Sequence, residues 1–148
     1  MTTNGNVSTA AKLDLAPYVF FSGRCAEALE FYKGVFGGSY ESQRNSEAPA
    51  EMQQHIPEGQ GNRIMHARFQ GPGFEFMCSD GRETKPVDPD AGNVSLALSA
   101  SDADSGRRIF DALAEGGKVV MPLDTAFWGG KFGIAHDKFG IEWFVTAP

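Results

Sequence analysis

Residues 15–21 (LAPYVFF) form a β-rich apolar run that ends at Ser22-Gly23, after which the hydrophobic period changes. Ala28, Phe31, Tyr32, Val35 and Phe36 recur at helical spacing, and the Gly37-Gly38 pair stops that helix as C-terminal glycines commonly do. A second extended segment runs from Ser39 to Asn45. Residues 46–62 contain Pro49 and Pro57 without firm periodicity, which predicts a long excursion of a kind that often covers a site. Strand character returns over 63–70 (RIMHARFQ), and Gly71-Pro72-Gly73 predicts a tight hairpin into 74–79. Residues 80–91 (DGRETKPVDPDA) then read as a polar linker.

The pattern starts again beyond the linker. Residues 93–100 alternate as a strand, Asp102 suits a helix N-cap, and Ile109, Phe110, Leu113 and Ala114 form an apolar stripe closed by Gly116-Gly117. Phe31, Tyr32, Val35 and Phe36 match that second stripe at a single offset. Gly73-Phe74-Glu75-Phe76-Met77 likewise mirrors Gly140-Ile141-Glu142-Trp143-Phe144. A duplication explains both matches, because neither unit alone could cover its own sheet. The predicted class is α+β, with two sequential βαβββ modules: module one over 15–79, a linker over 80–91 and module two over 92–146. Together they form one domain over 15–148 behind a flexible arm at 1–14, since 148 residues suit one sizeable core.

Charge narrows the partners. A net charge of −6 works against phosphate backbones, so no nucleic-acid partner is expected. No stretch reaches the roughly 18 apolar residues of a membrane span, and residues 1–12 lack the basic and apolar regions of a secretory signal. Only Cys25 and Cys78 are present, too few for a disulfide framework and best read as small buried side chains. A cytoplasmic location is the expectation that follows.

Pro17-Tyr18-Val19-Phe20-Phe21, Ala28-Leu29-Glu30-Phe31-Tyr32, Phe36-Gly37-Gly38, Ile64-Met65-His66-Ala67, Phe127-Trp128-Gly129 and Asp137-Lys138-Phe139-Gly140 occur in an order that resembles the PhnB-like proteins of the glyoxalase/bleomycin resistance/dioxygenase (vicinal oxygen chelate, VOC) superfamily. The resemblance covers residues 15–146. It implies mostly antiparallel sheets curled around a cleft with helices outside, a small-molecule ligand in the concave interior, and a homodimer. Such proteins are often labelled demethylubiquinone methyltransferase-like, but no glycine-rich nucleotide loop follows a strand here, and the label is not carried over.

Metal-using relatives bring four side chains together from the first and last strands of each module, commonly two His and two Glu. By motif those positions fall at Pro17, Glu75, Asn93 and Glu142, so both carboxylates remain and both imidazoles are lost. Zinc or nickel would lack nitrogen donors, and no tightly bound cofactor is expected. An oxygen set of Glu75, Glu142 and the Asn93 carbonyl could hold Mg or Mn. Without metal, the same two glutamates are the candidate catalytic acid and base. Period-2 alternation sets Glu75 with Met77, and Glu142 with Phe144, on faces opposite their apolar neighbours. His66 and Arg68 share a strand face and are candidate ligand contacts with Asn93, Met77 and Phe144. Phe127-Trp128, ahead of Gly129-Gly130, either gates a pocket or plugs the core. His55 and His136 are expected to be solvated. Three functions stay open: metal-independent binding or transformation of a small organic molecule, a divalent-metal lyase, isomerase or dioxygenase using Glu75 and Glu142, and a drug- or metabolite-sequestering protein.

Overall fold

The computed structural model describes residues 11–148. Its elements run β1 (Tyr18–Phe20), α1 (Cys25–Phe36), β2 (Ser39–Arg44), a 3-10 turn (Asn45–Glu47), α2 (Ala50–Gln53), β3 (Ile64–Gly71), β4 (Phe74–Ser79), β5 (Leu96–Ser99), α3 (Ala103–Ala114), β6 (Lys118–Thr125), β7 (Lys131–His136) and β8 (Glu142–Ala147). Sheet one has the order β1-β4-β3-β2 and sheet two the order β5-β8-β7-β6. In each sheet the first strand runs parallel to the last and the other pairs are antiparallel, so the sequence repeat is also a topological repeat.

The two helices begin differently. Arg24 gives α1 no side-chain cap, and the Cys25 amide instead donates to Asp80 Oδ1 at 2.8 Å. The other Asp80 oxygen accepts from the Ile64 amide at 2.7 Å, so one buried carboxylate joins α1 to β3. Helix α3 has the predicted cap, with Asp102 accepting from the Ser105 amide at 2.7 Å. Gly38 needs to be glycine: its φ is +84°, and a Cβ there would stand 2.1 Å from the Gln70 carbonyl oxygen. The excursion over 46–62 folds back on itself, with the Gln53 amide donating to the carbonyls of Asn45, Ser46 and Ala48.

Both modules contribute to one core. The Tyr32 ring on α1 lies 5.7 Å from Phe76 and 6.4 Å from Phe69 in sheet one, and 5.9 Å from Trp143 in sheet two. Its hydroxyl donates to Asp137, a buried carboxylate that also accepts from Trp143 Nε1 at 2.8 Å and from the Phe139 and Ile141 amides. Cys25 and Cys78 are buried in the same core, sulfur to sulfur at 3.5 Å. The helix-bearing faces of the two sheets therefore meet inside the chain. Among the described residues it is the helix-distal sheet faces that stay open, and no curled cleft is closed by these two sheets alone. The physical reason is that Phe69, Phe76, Trp143 and Val145 all point toward the helices, and one shared core buries them where two separate modules could not.

Candidate functional site on the helix-distal sheet faces

Strand alternation places the candidate residues on these open faces. In β4, Phe76 and Cys78 are buried while Glu75 is exposed and Met77 half-buried; in β8, Trp143 and Val145 are buried while Glu142 and Phe144 are half-buried.

On sheet one, β3 aligns Arg68 with Met77 and Gln70 with Glu75, and β1 aligns Tyr18 with Met77. Tyr18, His66, Arg68, Glu75 and Met77 thus share a face. The Tyr18 hydroxyl and His66 Nδ1 are hydrogen-bonded at 3.1 Å. Arg68 Nε stands 3.8 Å from Glu75 Oε2, a loose and solvated ion pair. His66 and Arg68 also border a shallow hollow with Glu41, Ser42 and Gln43.

Sheet two is more ordered. Ser95 Oγ donates to Glu142 Oε1 at 2.5 Å, and His136 Nε2 lies 2.7 Å from Glu142 Oε2. His136 Nδ1 faces the exposed Asp90 carboxylate at 4.0 Å. The Ser95 hydroxyl first, and then His136, hold the Glu142 carboxyl below the usual carboxylate range, because both bonds favour the ionised form. Beyond Glu142 the same face carries Ile134 and a row of edge-on aromatics: Phe127 to Trp128 at 4.9 Å, Trp128 to Phe132 at 5.7 Å, and Phe132 to Phe144 at 5.5 Å. Phe127 is 97% exposed and Trp128 57%, so the loop aromatics do not plug the core. With Met121, Pro122 and Thr125 they line a groove at the β6 edge.

Three placements differ from the sequence reading. Glu75 and Glu142 lie on different sheets, and no described cavity contains both. Asn93 is exposed in the bend before β5, and the residue beside Glu142 is Ser95. The signal for Ser95 was present, since the offset that matches Phe31 with Ile109 also matches Pro17 with Ser95. His136 is buried instead of solvated, because β7 pairs it directly with Glu142.

The donor set does not suit the metal of the superfamily's metal-using members. Pro17 has no side-chain donor and the Ser95 hydroxyl is committed to Glu142, so neither matched position supplies an imidazole nitrogen. Among the described residues, no group of three or more His, Cys, Asp or Glu is placed to hold a metal ion.

Residues 13–146 match the family described as 3-demethylubiquinone-9 3-methyltransferase. The chain belongs to that family. Its PhnB-like character extends to solved structures. The chain is similar to protein PA1353 from Pseudomonas aeruginosa, at 34% identity over 92% of this chain and 98% of that one, with a TM-score of 0.77. It is also similar to a Bacillus cereus PhnB protein described as a putative 3-demethylubiquinone-9 3-methyltransferase, at 26% identity over 92% and 100% of the two chains, TM-score 0.71. Protein YjdN of Escherichia coli is 29% identical over 90% of this chain and 95% of its own length. In fold alone, the PhnB-like chain matches a glyoxalase/bleomycin resistance protein/dioxygenase superfamily member from Sphaerobacter thermophilus, at 18% identity over 92% and 98% of the two chains, TM-score 0.51. No helix among the described residues is long and apolar enough to cross a membrane.

Proposed function

We propose that this PhnB-like protein binds a small organic molecule on the helix-distal sheet faces, in a cleft completed when a second copy sets its sheet one against sheet two of the first. The observation that carries this reading is an uncovered row of aromatic side chains that leads to a carboxylate already ordered by two donors, Ser95 and His136. A pocket that is largely apolar with a few convergent polar groups is the usual make-up of a small-molecule site. The exposed apolar side chains Tyr18, Phe20, Val119, Met121, Phe127 and Trp128 support the second copy, because a chain that leaves so many aromatics in water gains by covering them.

Glu142, ionised and oriented, is suited to accept a hydrogen bond or a proton from the bound molecule, and Arg68, Tyr18 and His66 of the partner's sheet one would face it. No tightly bound transition metal takes part in this reading. Methyl transfer is not carried over from the family description. The Cys25 amide at the start of α1 is taken by Asp80, and α3 is capped by Asp102, so protein carboxylates occupy both strand-to-helix turns.

Light scattering on purified protein, a thermal-shift screen of metabolites and drugs, and elemental analysis of native protein beside Glu142→Gln test the proposal together. A dimeric mass, stabilisation by a small organic molecule and no stoichiometric metal are expected. A monomer that no compound stabilises would sink the cleft. Stoichiometric metal that vanishes in Glu142→Gln would replace it with the glyoxalase-type enzyme, and chemical analysis of the recovered ligand separates conversion from sequestration.

A further inference from the structure

We infer that the cleft selects organic cations: flat ring systems that carry a protonated amine. This rests on the small-molecule reading above and specifies its ligand.

Glu142 is held ionised, and its two bonds to Ser95 and His136 use only part of a carboxylate's accepting capacity of about four lone-pair sites. Its side chain keeps 27% of its surface open on the face that carries the aromatic row. The carboxylate at that end is therefore reachable. The aromatics point the same way. Where rings lie near the protein's own cations they are already matched: Arg24 sits 4.5 Å over Phe139, and Lys138 reaches both Phe31 and Phe139. Among the described residues no lysine or arginine stands over Phe127, Trp128, Phe132 or Phe144. Negative ring faces without a cation, next to an ionised carboxylate, are the elements of a site for an ammonium group.

Sheet one, the other wall, does not reverse this balance. Arg68 on the shared face is flanked by Glu75 at 3.8 Å and by its cross-strand neighbour Glu41. An anionic ligand would have to displace those carboxylates and then meet Glu142. A cationic ring compound meets carboxylates on both walls and π faces between them.

Three naphthyl probes on the native protein test the inference: 1-naphthylmethylamine, 1-naphthalenemethanol and 1-naphthylacetate, followed by calorimetry and by quenching of tryptophan fluorescence. The ammonium probe should bind at least about tenfold more tightly than the alcohol, with the carboxylate weakest. Glu142→Gln should erase the preference for ammonium over alcohol, and Trp128→Ala should weaken both. Equal or tighter binding of the alcohol or the carboxylate overturns the inference even if no variant folds, because the probe series needs only native protein. So does failure of all three probes on a dimer that binds another compound from the screen, in which case the small-molecule reading survives alone.

Discussion

Tyr32→Phe removes a single hydroxyl from the point where the two modules are joined. The ring would keep its contacts with Phe69, Phe76, Phe139 and Trp143, so little cavity opens and little apolar burial is lost. What goes is the hydroxyl's bond to the Asp137 carboxylate, a buried link between α1 of module one and the β7–β8 hairpin of module two, where Arg24 at the helix start also donates to the Lys138 carbonyl at 2.8 Å. Hydrogen bonds to charged groups contribute about 1.5–3 kcal/mol. Asp137 keeps Trp143 Nε1 and the amides of Phe139 and Ile141, so the loss should fall near the lower end, about 1.5–2 kcal/mol. For a chain of this size that lowers Tm by roughly 3–8 °C. Urea unfolding should show the midpoint shifting at constant slope. A double-mutant cycle with Trp143→Phe should show coupling, because both donors share one carboxylate. A change below about 0.5 kcal/mol would mean that the modules are not joined through this carboxylate.

Asp80→Ala leaves the buried amides of Cys25 and Ile64 without acceptors and should cost about 2–4 kcal/mol in urea unfolding; a loss under about 1 kcal/mol would show that water replaces the carboxylate. Gly133→Ala would bring a Cβ to 2.8 Å from both Leu123 Cα and Phe110 Cε1, so β6 must move from β7 at a cost of about 1–3 kcal/mol, and unchanged stability would refute that close approach. The lowered folded-state pKa of Glu142 gives stability that is present in full above the ordinary Glu value of about 4.3 and is lost as pH falls through the lower folded value. Carboxyl NMR titration should show Ser95→Ala moving that pKa upward by more than His136→Gln does, and the reverse order would contradict the assignment of Ser95 as the stronger donor.

Much of the architecture was legible because the repeat constrains it twice. The stripes at Phe31, Tyr32, Val35, Phe36 and at Ile109, Phe110, Leu113, Ala114 gave both helices, and the matched Gly-apolar-Glu units gave both closing strands. Alternation along β4 and β8 correctly put the glutamates on the face away from the core. It could not say which way that face looks. Whether two sheets meet through their helix-bearing faces or through the opposite ones depends on long-range contacts such as Tyr32 with Trp143, and these leave no local periodicity. His136 was misjudged for a related reason: a histidine beside a Gly-containing hairpin looks solvated until the register pairs it with Glu142.

The duplication also explains why the two faces are not equivalent. The cross-strand pair Gln70 and Glu75 in sheet one occupies the ladder position that His136 and Glu142 occupy in sheet two. The inward residues on either side are tied to the shared core, so both copies keep large apolar side chains there, Phe74 and Phe76 in one and Ile141 and Trp143 in the other, whereas the outward positions were free to change. In sheet one the glutamate has only a loose arginine 3.8 Å away, and 44% of its side chain is open. In sheet two the partner is a buried histidine at 2.7 Å, with Ser95 closing the other side. A carboxylate fixed by two donors loses little freedom when a ligand binds, and a loose one can adapt to the ligand's shape. Two copies arranged with unlike faces together would thus give each cleft one preorganised acid and one adjustable one, an economical way for a doubled fold to recognise an asymmetric molecule.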